Sequence, residues 1–146
     1  LWTRTVPCPN PAAEPHEVEL VLASSAAAVV ELDARQFSRA LVNVLVNAIE
    51  HSPEGGRVEI AVVDDVDAVM VTVRDHGPGI APDDLPHVFE PGWRASAARS
   101  APRVEGAGGA GLGLAITRAV MLAHGGSASA RAAQPGTVLE LRLPRD

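Results

Sequence analysis

The chain has 146 residues, 47% of them hydrophobic, and this size suits one domain with a single sizeable core. Its 12 basic residues are all arginine and its acidic residues number 18, so the net charge of −6 disfavours a nucleic-acid partner. No stretch approaches the ~18 consecutive apolar residues of a membrane span.

The N-terminal part of the chain carries few structural signals. Residues 1–17 are rich in proline and lack an apolar period, which predicts a linker or N-terminal edge segment, with organised structure from about Val18. The chain begins with Leu1 and shows no signal peptide, which is consistent with a fragment of a longer protein. Its single cysteine, Cys8, excludes an internal disulfide and predicts a reducing, cytoplasmic location.

A long amphipathic helix follows two short strands. The strands are predicted at Glu19–Leu22 and Ala28–Leu32, and Asp33 is a good helix N-cap. Apolar residues then recur at i, i+3, i+4 and i+7, which predicts that one stripe of the helix faces the core. A neighbouring polar stripe can face a ligand, and it consists of Asn43, Asn47 and Glu50.

The second half of the chain alternates strands, turns and helices. Strands at Arg57–Val63 and Ala68–Arg74 flank an acidic turn, which predicts a hairpin that ends at Asp75. A short helix is predicted around Pro82–Val88, and residues 95–110 lack any period, as in a lid or a disordered loop. The last predicted elements are a helix over Leu112–His124 and two strands at about 127–133 and 137–143.

Three short motifs along the chain carry chemistry that fits one nucleotide pocket. The amide oxygen of Asn47 can complete the octahedron of a Mg²⁺ ion whose other ligands are water and nucleotide oxygens. The carboxylate of Asp75 can accept the N6 hydrogen bond of adenine, a donor that guanine lacks, which selects ATP over GTP. Gly77 and Gly79 let the backbone turn and approach the base. Taken alone, a solvent-facing asparagine pair or an ordinary turn explains each motif.

The third motif is the glycine cluster Gly106–Gly113, which stands directly before a helix. Such a loop can aim free backbone amides at phosphate oxygens, with the helix dipole behind them. Taken alone, a flexible linker that enters a helix explains the cluster equally well. Because the three motifs occur in series, we predict an ATP site.

Five longer stretches contain these motifs and the segments around them. They read LVNVLVNAIEHSPEGG, VRDHGPGI, VFEPGWR, GAGLGLAITRAVMLAHGG and GTVLELRLP, and the similarity covers roughly Val18–Pro144. Together they resemble the catalytic and ATP-binding domain of sensor histidine kinases, in the GHKL superfamily. The resemblance implies a Bergerat-type two-layer α/β sandwich, in which helices cover one face of a mixed, mostly antiparallel sheet. It also implies that residues 18–146 form the ATP-binding kinase domain, without the dimerisation and phosphoacceptor domain.

Carried over position by position, the resemblance assigns roles to individual residues. Asn47 matches the Mg²⁺-coordinating asparagine, and Asp75 matches the adenine-binding aspartate. Asn43 stands where the related gyrase-like ATPases carry a glutamate general base, and an amide cannot accept that proton. The residues implied in phosphoryl transfer are Asn43, Asn47 and Arg94. The residues implied in nucleotide binding are Asn43, Asn47, Asp75, Gly77, Gly79, Ile80, Phe89, Gly109, Gly111, Leu112, Gly113 and Leu114.

Two departures from the family pattern qualify the match. The family often has Lys or Arg three residues after the metal-binding asparagine, where this chain has Glu50. Arg94, Arg99 or Arg103 can supply that charge from the lid side, and each is equally explained as a solvated loop arginine. The chain also lacks a helix pair with a phosphoacceptor histidine, because neither His16 nor His51 has the expected sequence context.

The resemblance therefore predicts a domain that delivers the γ-phosphate of ATP to a histidine on a dimerisation domain, in the same parent chain or on a separate polypeptide. A response-regulator aspartate then receives the phosphoryl group. The parent kinase can be anchored in the inner membrane without membrane contact by this segment. Two alternatives stay open. An anti-sigma-factor Ser/Thr kinase is disfavoured by Asn43, since those kinases keep the glutamate. A nucleotide-dependent regulatory module without transfer activity is disfavoured by Asn47 and Asp75, but Glu50 counts slightly for it.

Overall fold

The computed structural model describes residues 2–9, 16–26, 29–93 and 113–145. In chain order these residues form β1 (Trp2–Pro7), β2 (Glu17–Ser25), α1 (Ala34–His51), β3 (Arg57–Asp64), β4 (Ala68–Arg74), a short 3-10 helix (Leu85–His87), α2 (Gly113–Ala123), β5 (Ser127–Ala132) and β6 (Thr137–Pro144).

The described strands form one six-stranded sheet in the order β1-β2-β3-β4-β6-β5. β2 and β3 run parallel, with Leu20 opposite Val58, and the other neighbouring pairs are antiparallel. A parallel pair needs a crossover connection, and α1 supplies it. The predicted mixed, mostly antiparallel sheet is confirmed.

One face of this sheet carries the core. Val69, Val71 and Val73 of β4 are buried, as the two-residue period of a strand requires when one face is covered. Buried side chains from both helices join the same hydrophobic cluster, namely Val44, Ala48, Ile49, Leu114 and Met121. The two helices therefore lie on one face of the sheet, and the predicted two-layer α/β sandwich is confirmed.

Both ends of α1 are capped. Oδ1 of Asp33 accepts a hydrogen bond from the N–H of Gln36 at 3.1 Å, which confirms the predicted N-cap. At the other end the hydroxyl of Ser52 donates to the carbonyl oxygen of Ala48 at 2.8 Å. These caps define where the helix begins and ends.

The N-terminal segment differs from the prediction. Trp2–Pro7 pairs with β2 as an antiparallel edge strand, with Trp2 opposite Leu22, so ordered structure begins well before Val18. The physical reason is that β2 without this partner presents a row of unpaired backbone groups. Proline content did not reveal the strand because the prolines cluster at and beyond its end.

The strand predicted over Ala28–Leu32 is wrong for residues 29–32, which form no regular element. β2 ends at Ser25, where it lies opposite Val62 of β3, and residues 29–32 pair with no neighbouring strand. Val30 and Leu32 pack against the core instead. Their alternation therefore reflects packing against the core without strand pairing.

Two further predictions differ in extent. The helix predicted around Pro82–Val88 contracts to the 3-10 turn Leu85–His87, in which Pro86 lacks the N–H that a longer helix needs. The loop predicted at residues 95–110 lies wholly in the segment 94–112, outside the described residues. Within the described ranges no helix combines the length and the apolar character needed to cross a membrane.

Candidate functional site

The polar stripe of α1 is present as predicted. Asn43 and Asn47 lie one helical turn apart, roughly 6 Å along the axis. Both side chains are partly buried, and each precedes a core residue, Val44 and Ala48 respectively. The core stripe therefore fixes the orientation of the helix and leaves the two amides at its edge.

Asn43 faces the beginning of α2. A Cβ atom added at Gly113 would lie 3.6 Å from both Cβ and Cγ of Asn43, which is ordinary contact distance. The Nδ2 atom of Asn43 is buried and has no hydrogen-bond partner among the residues that the structure describes. Because buried N–H groups normally have an acceptor, this atom is a candidate donor to a ligand.

Thr117 connects the two helices at the same level. It is fully buried, and its Oγ1 lies 3.0 Å from the carbonyl oxygen of Ala40 and 3.1 Å from that of Gly113. The hydroxyl has one hydrogen to donate, so it serves these two carbonyls in turn. Ala40 precedes Asn43 by less than one turn, and the contact therefore fixes α2 beside the amide stripe.

Asp75 lies directly after β4 and is 4% exposed. Its Oδ1 accepts the N–H of Gly77 at 2.9 Å, and its own N–H donates to the carbonyl oxygen of Thr137 at 3.0 Å. Burial raises the pKa of the Asp75 carboxyl group, and the hydrogen bond from Gly77 and the charge of His51 oppose this rise. The ionised carboxylate is therefore poorly solvated and is stabilised by any ligand that brings a hydrogen-bond donor.

The loop after Asp75 is enclosed from two sides. A Cβ atom at Gly77 would lie 2.0 Å from the carbonyl oxygen of His51 at the end of α1. On the other side, Gly136 in the turn between β5 and β6 has φ +96°, and a Cβ there would lie 1.9 Å from the carbonyl oxygen of Asp75. Neither position admits a side chain unless the backbone moves, so these contacts determine where Asp75 sits.

Two clusters of candidate site residues lie along α1. From Asn43 to His51 its axis rises roughly 12 Å, with the start of α2 near one point and the Asp75 loop near the other. The amide end consists of Asn43, Asn47, Gly113 and Thr117. The carboxylate end consists of Asp75, Gly77, Gly79 and Gly136.

The remaining predicted site residues are distributed as follows. Phe89 and Leu114 are buried in the core, Ile80 packs against that core partly buried, and Gly79 turns the chain with φ +83°. Their contacts with a ligand stay predictions. Arg94, Gly109, Gly111 and Leu112 lie outside the described residues.

Sequence reasoning missed two supports of the carboxylate end. Arg74 donates from Nη2 to the carbonyl oxygens of Gln134 and Pro135, each at 3.3 Å. Gly136 is buried against Asp75. A turn between two strands was visible in the sequence, but nothing local indicated that it packs on a loop some 60 residues earlier. Thr117 was also missed, although its position on the buried stripe with Leu114 and Met121 was a usable signal.

The family comparison covers most of the chain. Residues 32–146 match the family model of histidine kinase-, DNA gyrase B- and HSP90-like ATPases, which implies ATP binding. The signal transduction histidine-protein kinase AfsQ2 of Streptomyces coelicolor is 43% identical over 116 residues, which are 79% of this chain and 20% of that protein. The kinase/phosphatase MprB of Mycolicibacterium vanbaalenii is 41% identical over 119 residues, 77% of this chain and 23% of that protein. The chain thus spans about a fifth of the length of these curated relatives.

Solved structures with the same fold include histidine kinase domains. A mycobacterial sensor histidine kinase MprB matches with a TM-score of 0.73 and 38% identity, covering 87% of this chain and 83% of that one. The catalytic domain of histidine kinase ThkA matches with a TM-score of 0.73 and 26% identity, covering 88% and 80%. Full-length ShkA in complex with AMPPNP matches with a TM-score of 0.69 and 27% identity, covering 87% and 25%.

Proposed function

This chain belongs to the histidine kinase-, DNA gyrase B- and HSP90-like ATPase family, and on that basis we propose that it is the ATP-binding catalytic domain of a two-component sensor histidine kinase. It presents the γ-phosphate of ATP to a histidine on a dimerisation domain. A response-regulator aspartate then receives the phosphoryl group. Since the chain spans only about a fifth of its curated relatives, the transfer activity, the acceptor and the regulator are all part of the proposal.

One observation carries the proposal: α1 has an amide stripe in its C-terminal half, beside the start of α2, and a buried carboxylate next to its C-terminal end. Asn43 approaches Gly113, while the carbonyl oxygen of His51 abuts Gly77 in the Asp75 loop. An elongated ligand with an anionic tail and a donor-bearing ring fits these two ends. ATP has both features, and the full-length ShkA structure is a complex with AMPPNP, an ATP analogue.

Base recognition is assigned to Asp75. Its carboxylate accepts the N6 hydrogen bond of adenine, and the N–H of Gly77 holds the Oδ1 atom in place. Burial raises the pKa of this group, so a donor from the base relieves an unfavourable desolvation. Guanine carries an oxygen acceptor at the equivalent position, which faces the carboxylate without a donor.

The amide end is suited to the phosphates and to Mg²⁺. Asn47 offers a neutral amide oxygen as a ligand, and the buried Nδ2 of Asn43 offers a donor that has no acceptor among the described residues. Mg²⁺, when bound, neutralises charge on the phosphate oxygens. Arg94 and the glycines of the segment before Gly113 are proposed to contact the phosphates, in line with the sequence prediction.

Transfer on this domain rests on positioning and charge neutralisation, as is usual for phosphoryl transfer. Asn43 holds the place at which the related ATPases have a general base, and its amide accepts no proton. A water molecule is therefore not activated from this side, which favours transfer to a protein acceptor over hydrolysis.

The test combines binding with a transfer assay. With Mg²⁺ the isolated chain is expected to bind a fluorescent ATP analogue, and to leave itself unlabelled when incubated with γ-labelled ATP. Added histidine-containing dimerisation domain is expected to become labelled. Absence of binding contradicts the proposal, and so does label on a histidine of this chain. Binding without transfer to any matched acceptor favours the regulatory module.

A further inference from the structure

The loop that carries Asp75 leans on the turn between β5 and β6. Gly136 in this turn is buried, and a Cβ atom there would lie 1.9 Å from the carbonyl oxygen of Asp75 and 3.0 Å from Cα of His76. The turn is closed by a hydrogen bond from the N–H of Ala133 to the carbonyl oxygen of Gly136 at 3.0 Å. Backbone therefore packs directly on backbone at the carboxylate end.

The same turn is tied to the residue before Asp75. Arg74 donates from Nη2 to the carbonyl oxygens of Gln134 and Pro135, both at 3.3 Å. On the other side of Asp75, Nε2 of His76 shares a hydrogen bond with Oε1 of Glu59 at 2.9 Å. Asp75 is thus flanked by two side chains, one anchored to the β5–β6 turn and the other to β3.

These anchors matter because the hydrogen bond that holds the Asp75 carboxylate comes from the same loop and does not fix that loop relative to the rest of the domain. The Oδ1 atom of Asp75 is held by the N–H of Gly77, two residues away in the same loop. If the loop shifts, the carboxylate moves with it. The position of the carboxylate relative to α1 is therefore set by the contacts of the loop backbone.

We propose that the β5–β6 turn, through Gly136 and Arg74, is a positioning element that fixes the base-reading carboxylate and so sets the preference for adenine. The inference rests on the proposed function, since it concerns how Asp75 reads a base. If the turn only closes the hairpin, altering it should lower the thermal stability of the chain and leave the ratio of ATP to GTP affinity unchanged.

The main test is Gly136→Ala with Gly55→Ala as its matched control. Both glycines have positive φ, +96° and +71°, but a Cβ at Gly55 meets nothing within 4 Å. Both variants therefore place an alanine at a positive φ, and only Gly136→Ala brings a Cβ atom against the Asp75 loop. Binding of Mg-ATP and Mg-GTP and thermal unfolding are measured for both.

Gly136→Ala is expected to weaken ATP by at least about tenfold and to leave GTP nearly unchanged, since a hydrogen bond to a charged group carries that much affinity. Gly55→Ala is expected to bind both nucleotides like the wild type. A folded Gly136→Ala protein with wild-type ATP affinity and base preference overturns the inference.

Arg74 gives an independent arm if Gly136→Ala does not fold. Arg74→Gln is expected to lower ATP affinity about threefold or more, and Arg74→Lys, which keeps a charged donor, is expected to lie closer to the wild type. Equal ATP affinity for wild type and Arg74→Gln overturns the inference. If the wild-type chain binds no nucleotide, the proposed function itself is wrong. If the wild-type chain binds ATP and the turn variants bind it equally well, only this inference is wrong.

Discussion

The amide end and the carboxylate end, the two residue clusters beside α1, are each stabilised by a different kind of contact. At the carboxylate end, glycine backbone meets backbone on two sides, and the carboxylate already accepts a hydrogen bond. At the amide end, side chains make the contacts, and the buried Nδ2 of Asn43 has no acceptor among the described residues. The comparison indicates that the proposed base site is preorganised, whereas the proposed phosphate site keeps a donor for its ligand to satisfy.

The largest expected effect lies at the amide end. Asn47→Ala removes the proposed Mg²⁺ ligand, and transfer to a supplied dimerisation domain should fall by about 10²–10³-fold, as when one preorganised stabilising group is lost. ADP binding without metal should change little. The measurements are labelled-phosphate transfer and nucleotide titration with and without Mg²⁺.

Ser38→Ala provides a control on the exposed side of the same helix. It should behave like the wild type in both assays. An Asn47→Ala protein that keeps its full Mg²⁺-dependent binding would show that the metal is not held by this stripe, and the contrast between the two ends would lose its chemical basis.

The next effect belongs to the carboxylate end. Asp75→Asn should weaken ATP by about ten- to a hundredfold and narrow the preference over GTP, because it replaces a charge-assisted hydrogen bond with a neutral one. Isothermal titration of both nucleotides measures this change. If the folded variant retains wild-type ATP affinity, Asp75 does not contact the base.

Thr117 tests whether the amide end depends on the hydroxyl between the helices. Thr117→Val should reduce the free energy of unfolding by about 1 kcal/mol, because a buried hydrogen bond is lost while most of the volume is kept. The ratio of ATP to GTP affinity should stay at its wild-type value, since Asp75 lies at the other end. Denaturant unfolding and nucleotide titration provide the two readouts.

Thr117→Ser serves as the control because it retains the hydroxyl. If Thr117→Val alters the base preference as strongly as Asp75→Asn does, then the two ends are coupled and cannot be treated separately.

The smallest effect concerns pH and the stability of the nucleotide-free chain. Burial raises the pKa of Asp75 in the folded chain. Between the ordinary carboxyl pKa and this raised pKa, the unfolded chain has released a proton that the folded chain still holds. Ionised Asp75 therefore lowers stability as pH rises through that interval. Asp75→Asn should be at least as stable as the wild type near neutral pH, and the difference should shrink as acid protonates the carboxyl in both states.

Thermal unfolding of both proteins across this pH range measures the difference. The hydrogen bond from Gly77, followed by the charge of His51, opposes the rise in the pKa of Asp75, which limits the effect. A wild-type protein that is clearly more stable than Asp75→Asn at neutral pH would contradict this sign.

Local sequence patterns predicted most of the elements. The strand Ala68–Arg74, the N-cap Asp33 and the helix stripe were all readable because each depends on residues within a turn or two of one another. β1 was not predicted because its strand character comes from pairing with β2. Residues 29–32 were wrongly predicted as a strand because apolar alternation also arises from packing against the core without a partner strand.

The chain by itself determined which chemical groups are available and in what order: an amide pair on a helix, a carboxylate at a strand end, and glycines before a second helix. These follow from backbone propensity and residue chemistry, which act over short distances. Only the tertiary structure decided that Gly113 meets Asn43, that Gly77 meets the end of α1, and that Gly136 meets Asp75. Such close approaches depend on how the sheet and helices pack. A glycine in the sequence does not indicate which distant backbone segment leaves no room for a side chain at that position.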